Sequence, residues 1–127
     1  MILDTSAVVA VLQLEPEAER FANLMASAAG IEISAATVLE ASIVLGPTRQ
    51  NALDKLLGLV GASVASVDED QLAAARLAYL TYGRRSGSPA RLDYADCFSY
   101  ALAKCRKRPL LFKGNDFGHT DIEPADS

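Results

Sequence analysis

Asp93-Tyr94-Ala95-Asp96-Cys97-Phe98-Ser99-Tyr100-Ala101-Leu102-Ala103-Lys104 is the stretch around which this chain organises itself. Tyr94, Phe98, Ala101, Leu102 and Cys105 recur at i, i+4, i+7, i+8 and i+11, the spacing of one apolar helical face. Asp93 and Asp96 are three residues apart, so they are neighbours on that helix, near its start and away from the stripe. Nine basic residues lie between Gln71 and Gly114, and these two are the only acids among them. Asp at a helix N-terminus caps it and complements its dipole, worth about 0.3–1 kcal/mol. That suffices for Asp93. Asp96 points to chemistry, because isolated acids elsewhere in the chain can be brought to it.

The rest of the chain supplies them. Met1-Ile2-Leu3 reads as a short buried strand ending at Asp4, followed by a helix from Ala7 to Leu12 that Thr5 or Ser6 would cap, with Asp4 itself the alternative cap. Pro16 suits the first turn of a second helix, which runs to about Ala29. Ile31-Glu32-Ile33 alternates like a strand, closed by Ser34. Thr37 to Leu45 has helical spacing, and Thr37 with Glu40 makes a capping-box pattern. Glu40 is also the only charge between Ile33 and Thr48, and a lone charge in apolar surroundings needs a partner or a task. Helices are predicted over residues 49–59 and from the Asp68 cap to Tyr82, with a small-residue strand over 61–67 between them. Residues 83–91 form a loop on turn chemistry, the central helix follows, and Pro109 to Phe112 reads as a strand. Lys113 to Asp116 is the loop after it, and Thr120 to Ile122 a final edge strand.

Strand and helix alternate, which indicates an α/β domain of three layers, α/β/α, with a mostly parallel central sheet. Asp4 and Asp116 then lie at C-terminal strand ends, where ligands bind in open α/β sheets. Glu40 and Asp96 sit one turn into helices at the same edge. Carboxylates converging on one crevice repel unless cations lie among them. Mg²⁺ or Mn²⁺ takes oxygen ligands and keeps several waters, and such ions activate water against a phosphodiester. That chemistry requires no histidine nucleophile system, and His119 is the only histidine.

Composition sets the outer bounds. The 127 residues suit one domain, 1–127, with disorder expected only at the last few residues. No basic leader and no long apolar run is present, so a soluble, cytoplasmic protein with no membrane association is expected. Cys97 and Cys105 are eight apart on one helix, roughly 12 Å, too far for a disulfide; both read as core filler. The net charge is −4, yet Arg84, Arg85, Arg91, Lys104, Arg106, Lys107, Arg108 and Lys113 form a basic patch suited to nucleic acid, unless it is only a solvated face.

Four segments carry a resemblance. Ile2-Leu3-Asp4-Thr5-Ser6-Ala7, Glu40 in its apolar helix, Arg91 to Ala103, and Leu110 to Phe117 followed by Thr120-Asp121-Ile122 occur in this order along the whole chain. Together they resemble the PIN-domain ribonucleases, and within them the VapC-type toxins of bacterial toxin–antitoxin pairs. The resemblance implies a Mg²⁺-dependent endoribonuclease that hydrolyses RNA. It also implies a homodimer neutralised by a cognate VapB-type antitoxin protein covering the site. The family's acidic set maps onto Asp4, Glu40, Asp96 and Asp116 as metal ligands and catalytic residues, and its hydroxyl onto Thr5 or Ser6. Asp93 stands where many such toxins have Asn, and Asp121 is a neighbour with some claim to the place of Asp116.

Other classes fit less well. A haloacid-dehalogenase-like phosphatase needs a second Asp two residues after the first, and position 6 is Ser. A receiver domain needs a phospho-accepting Asp after a central strand, whereas Asp54 lies in a helical pattern. A non-catalytic interaction module, its acids serving only as caps, is the alternative that an RNA-cleavage assay excludes.

Overall fold

A strand of only two residues sits inside the sheet, between a four-residue neighbour and a two-residue edge strand. In the computed structural model, which describes residues 1–126, β1 (Ile2–Leu3) pairs in parallel with β2 (Ile31–Ser34) on one side and β4 (Leu110–Leu111) on the other. β3 (Ala62–Ala65) completes the sheet at one edge, giving the order β3-β2-β1-β4 with every pair parallel. β1 and β4 are wholly buried and β2 nearly so, whereas Ser63 and Val64 of the edge strand β3 are exposed; the apolar residues of β1 and β4 alternate between two cores. Ile2 and Leu110 face one core with α5 (Glu69–Tyr82) and α6 (Tyr94–Arg106). Leu3 and Leu111 face the other, with α1 (Thr5–Leu12), α2 (Ala18–Ser27), α3 (Ala35–Leu45) and α4 (Gln50–Leu59). The two cores flanking one sheet are the expected α/β/α layering.

Several local expectations are corrected. Asp4, not Thr5 or Ser6, caps α1, its carboxylate accepting the Ser6 N–H. Ser34 caps α3 by accepting the Ala36 N–H, so the Thr37–Glu40 capping box does not form and both side chains are free for other bonds. The strand over 61–67 shrinks to four residues, because Ser66 and Val67 turn toward the Asp68 cap of α5. No strand forms at 120–122. The chain makes a 3₁₀ turn at Phe117–His119, then runs past β4 through an isolated bridge of Leu110 with Pro124.

The apolar face of α6 is also rotated from the expected stripe. Tyr94 is 78% exposed and Cys105 is exposed, while Cys97, Ser99, Tyr100 and Ala103 are buried. Of the last residues, Ala125 donates to the Leu110 carbonyl and Asp126 pairs with Arg20 at 2.8 Å; Ser127, included in the expected disorder, lies outside the described residues.

Candidate active site

The candidate site forms where the ends of β1 and β2 meet the N-terminus of α6. The Asp4 N–H donates to the Leu111 carbonyl at 3.0 Å, so the residue is still part of the sheet, while its side chain begins α1. Only 4% of Asp4 is exposed. Its Oδ2 accepts the Ser6 N–H at 3.0 Å and the Ser6 hydroxyl at 2.7 Å; its Oδ1 accepts the Ser99 hydroxyl at 2.6 Å. A buried carboxylate is tolerated because it is satisfied in this way.

Asp96 reaches the same place from α6. It closes a reciprocal capping box with Asp93: the Asp93 carboxylate accepts the Asp96 N–H at 2.9 Å, and the Asp96 Oδ2 accepts the Asp93 N–H at 3.0 Å. Both acids are therefore caps, and that reading is correct for Asp93. Asp96 carries a second property that capping does not require. Burial, aided by the negative charges of Asp4 and Asp93, pushes its carboxyl up to about 8. Glu40, on α3, is raised in the same direction, by burial first and then by Asp4 and Asp93, against a hydrogen bond from Thr5 that lowers it. Asp4 and Asp93 thus each raise the carboxyls of both Glu40 and Asp96.

Asp116 is not among these acids. It is exposed, precedes the 3₁₀ turn, and among the described residues makes no side-chain hydrogen bond. The loop that carries it touches the site through its first residue, where the Lys113 N–H donates to the Ser6 hydroxyl at 2.9 Å. Asp121 has no part in the crevice. It accepts from the Tyr100 hydroxyl at 2.6 Å and pairs with Lys104, nearer the other end of α6. Burial works to raise its carboxyl, but those two donors prevail and hold it low.

Among the described residues, no three acidic, histidine or cysteine side chains form a ready-made ligand set. The Asp96 carboxylate is engaged by the Asp93 N–H. The donors nevertheless fit a hard divalent cation, which binds through one or two carboxylates and keeps its remaining waters. Two hydroxyls that the sequence did not single out complete the surroundings. Thr37 and Ser99, from α3 and α6, are both fully or nearly fully buried and 3.2 Å apart. The signal for Ser99 was its place three residues after Asp96, on the same helical side.

The PIN domain, as a family model, matches residues 1–123. The chain belongs to the PIN-domain family. VapC ribonuclease Mb0625 of Mycobacterium bovis is 47% identical over 129 residues, covering 98% of this chain and 97% of that protein. Ribonuclease VapC30 of Mycobacterium tuberculosis is 45% identical over 126 residues, covering 96% and 95%. The crystal structure of VapC20 of Mycobacterium tuberculosis, described as a sarcin-ricin loop cleaving toxin, has the same fold: TM-score 0.73 over 97% of this chain and 98% of that one, at 16% identity. In this PIN domain α3 and α6 meet at the site through the Thr37–Ser99 hydroxyl pair. No helix among the described residues is long and apolar enough to cross a membrane.

Proposed function

We propose that this PIN domain is a Mg²⁺-dependent endoribonuclease toxin, hydrolysing RNA phosphodiesters, with Mn²⁺ able to replace Mg²⁺. The observation that carries the reading is the buried Asp4 carboxylate, satisfied by hydroxyls, with the carboxyl of Asp96 pushed up beside it and Glu40 raised nearby. Such a cluster is poised for a cation. Relatives named VapC ribonucleases at 45–47% identity support the RNA substrate. Asp4 and Asp96 would hold the metal, with Glu40 the third carboxylate at the crevice. Asp116, exposed on the loop after β4, is the fourth acid of the proposed set. The chemistry supplied there by a bound divalent ion is activation of a water and neutralisation of charge on the phosphodiester. The chain's own part is to hold Asp4 in the sheet edge and to exclude bulk water with α3 and α6.

The partners follow from the surface. Leu39, Ile43 and Val44 of α3 are 63%, 71% and 51% exposed and line a groove with Tyr94 and Phe98. A run of apolar side chains in the open marks an interface, and a homodimer through α3 would cover it. The acidic crevice suits a basic side chain from a VapB-type antitoxin, which would occupy it through charge-assisted hydrogen bonds. Cytoplasmic action is consistent with that pairing. The deciding experiment incubates the purified chain with RNA and Mg²⁺, with and without chelator, beside Asp4→Asn. Cleavage by the parent alone, lost with chelator, is expected; chelator-resistant cleavage, or equal cleavage by Asp4→Asn, would remove the metal-site reading. An antitoxin complex leaving the crevice open would remove the inhibition idea.

A further inference from the structure

Ser99 has one hydroxyl proton, and the Asp4 carboxylate 2.6 Å away can only accept it from that side. Ser99 must then act as acceptor toward its other neighbour, the Thr37 hydroxyl at 3.2 Å. The direction of the chain is therefore fixed: Thr37 donates to Ser99, and Ser99 donates to Asp4. Ser99 and Thr37 are 0% and 2% exposed, so bulk water does not substitute for either hydroxyl. The opposite oxygen of Asp4 is held in a parallel way. Ser6 donates to it at 2.7 Å and itself accepts the Lys113 N–H. Asp4 is thus clamped at both oxygens by donors that come from α1, α6 and, behind them, α3 and the loop after β4. One clamp is local in sequence, two residues away. The other crosses the molecule and joins α3, α6 and β1.

We propose that Ser99, oriented by Thr37, is a positioning residue that sets the rotation of the Asp4 carboxylate so that its free lone pairs face the crevice. This rests on the proposed metal-dependent reaction and adds to it two residues of this chain that touch neither RNA nor the ion. Groups that orient a ligating carboxylate contribute about 10–100-fold to metal affinity. Losing one donor frees Asp4 to turn about its last bond and weakens the site without removing a ligand.

The experiment measures Mn²⁺ binding to the whole chain by calorimetry, and cleavage as a function of Mg²⁺ concentration. Ser99→Ala is expected to weaken Mn²⁺ binding about tenfold or more, with cleavage largely recovered at saturating Mg²⁺. Thr37→Val is expected to lose less in the same direction, and Thr37→Ser, which keeps the hydroxyl, to match the parent. Because Thr37 acts through Ser99, the double variant should bind no more weakly than Ser99→Ala alone. Parent-like Mn²⁺ affinity in Ser99→Ala, or additive losses in the double variant, overturns the relay and leaves the metal reading standing. A parent chain that binds no Mn²⁺ overturns both. Should Ser99→Ala fail to fold, the contrast between Thr37→Val and Thr37→Ser still decides, since equal binding by those two overturns the relay.

Discussion

At the residue scale, Asp4 and Asp96 each do two things that a sequence cannot separate. Each joins a capping hydrogen bond, Asp4 as the N-cap of α1 and Asp96 as the reciprocal partner of Asp93, and each lies at the sheet's carboxyl edge, Asp4 buried and Asp96 half-buried. Capping alone does not discriminate Asp from Asn, which rank equally there. Charge does, and it gives a pH dependence with a definite sign. The Asp96 carboxyl is raised from an ordinary 3.8 to about 8 by burial and by Asp4 and Asp93. In the metal-free fold it holds a proton that the unfolded chain releases, so stability is greatest below about pH 4 for this group and is lost as pH rises toward about 8. Asp96→Asn keeps an oxygen for the Asp93 N–H and removes the titration. Its metal-free melting temperature should match or exceed the parent's, with the gap widening from pH 6 to pH 8.5, while Mg²⁺-dependent cleavage is abolished. Melting curves over that range, beside a cleavage assay, check both. A gap that narrows with pH contradicts the burial argument, and full cleavage by the Asn variant contradicts the metal-ligand role.

At the element scale, the order of strands and helices was legible because Gly, Pro and acidic caps punctuate apolar runs. What was not legible is which side of a helix the tertiary fold buries. Counting Tyr94 and Cys105 as core placed the α6 stripe on hydrophobicity, yet the buried residues of the helix are Cys97, Ser99, Tyr100, Ala101, Leu102 and Ala103. The same error hid Ser99, a polar residue on the buried side with a buried acid as its partner. Thr37 was hidden by a plausible capping box, which Ser34 pre-empted one turn earlier. The loop over residues 83–91 behaves as its composition predicted, returning to α6 through the Gly83–Leu92 bridge. Arg84, Arg85 and Arg91 on it are exposed, and Arg84 lies 3.7 Å from Asp93 at the start of α6. The proposed RNA substrate is expected to lie along them. Replacing all three with Ala should weaken RNA binding and flatten the plot of log affinity against log salt by about 2, three contacts on a single strand at about 0.7 each. Filter binding across a salt series measures it, and an unchanged slope would assign the three arginines to solvent.

At the scale of the whole molecule, the parallel sheet brings Asp4 and the β4 loop to one edge, and the chain's uneven charge follows from that. The basic cluster at the far end of α6 is largely engaged elsewhere: Arg106 and Arg108 pair with Glu32, and Lys104 with Asp121. Lys113 is held by Glu15 and Glu17, its ammonium 2.9 and 3.4 Å from their carboxylates. Much of the patch that suggested nucleic acid is thus internal pairing, which no count of Lys and Arg reveals. The apolar surface was equally hidden, because the helical spacing of residues 37–45 does not tell which of their apolar side chains are exposed. The exposed face of Leu39, Ile43 and Val44 beside Tyr94 and Phe98 is what a second copy would cover. Ile43→Glu puts a charge in the centre of that face, where an unpaired buried charge is costly in a dimer but an exposed one costs a monomer little. The variant should melt within a few degrees of the dissociated parent, keep its Mg²⁺ affinity, and sediment at the mass of one chain at concentrations where the parent sediments as two. If parent and variant sediment alike as dimers, the second copy binds elsewhere; if the parent is monomeric throughout, the exposed α3 face belongs to a different partner, and an antitoxin that buries Ile43 is then the occupant to test.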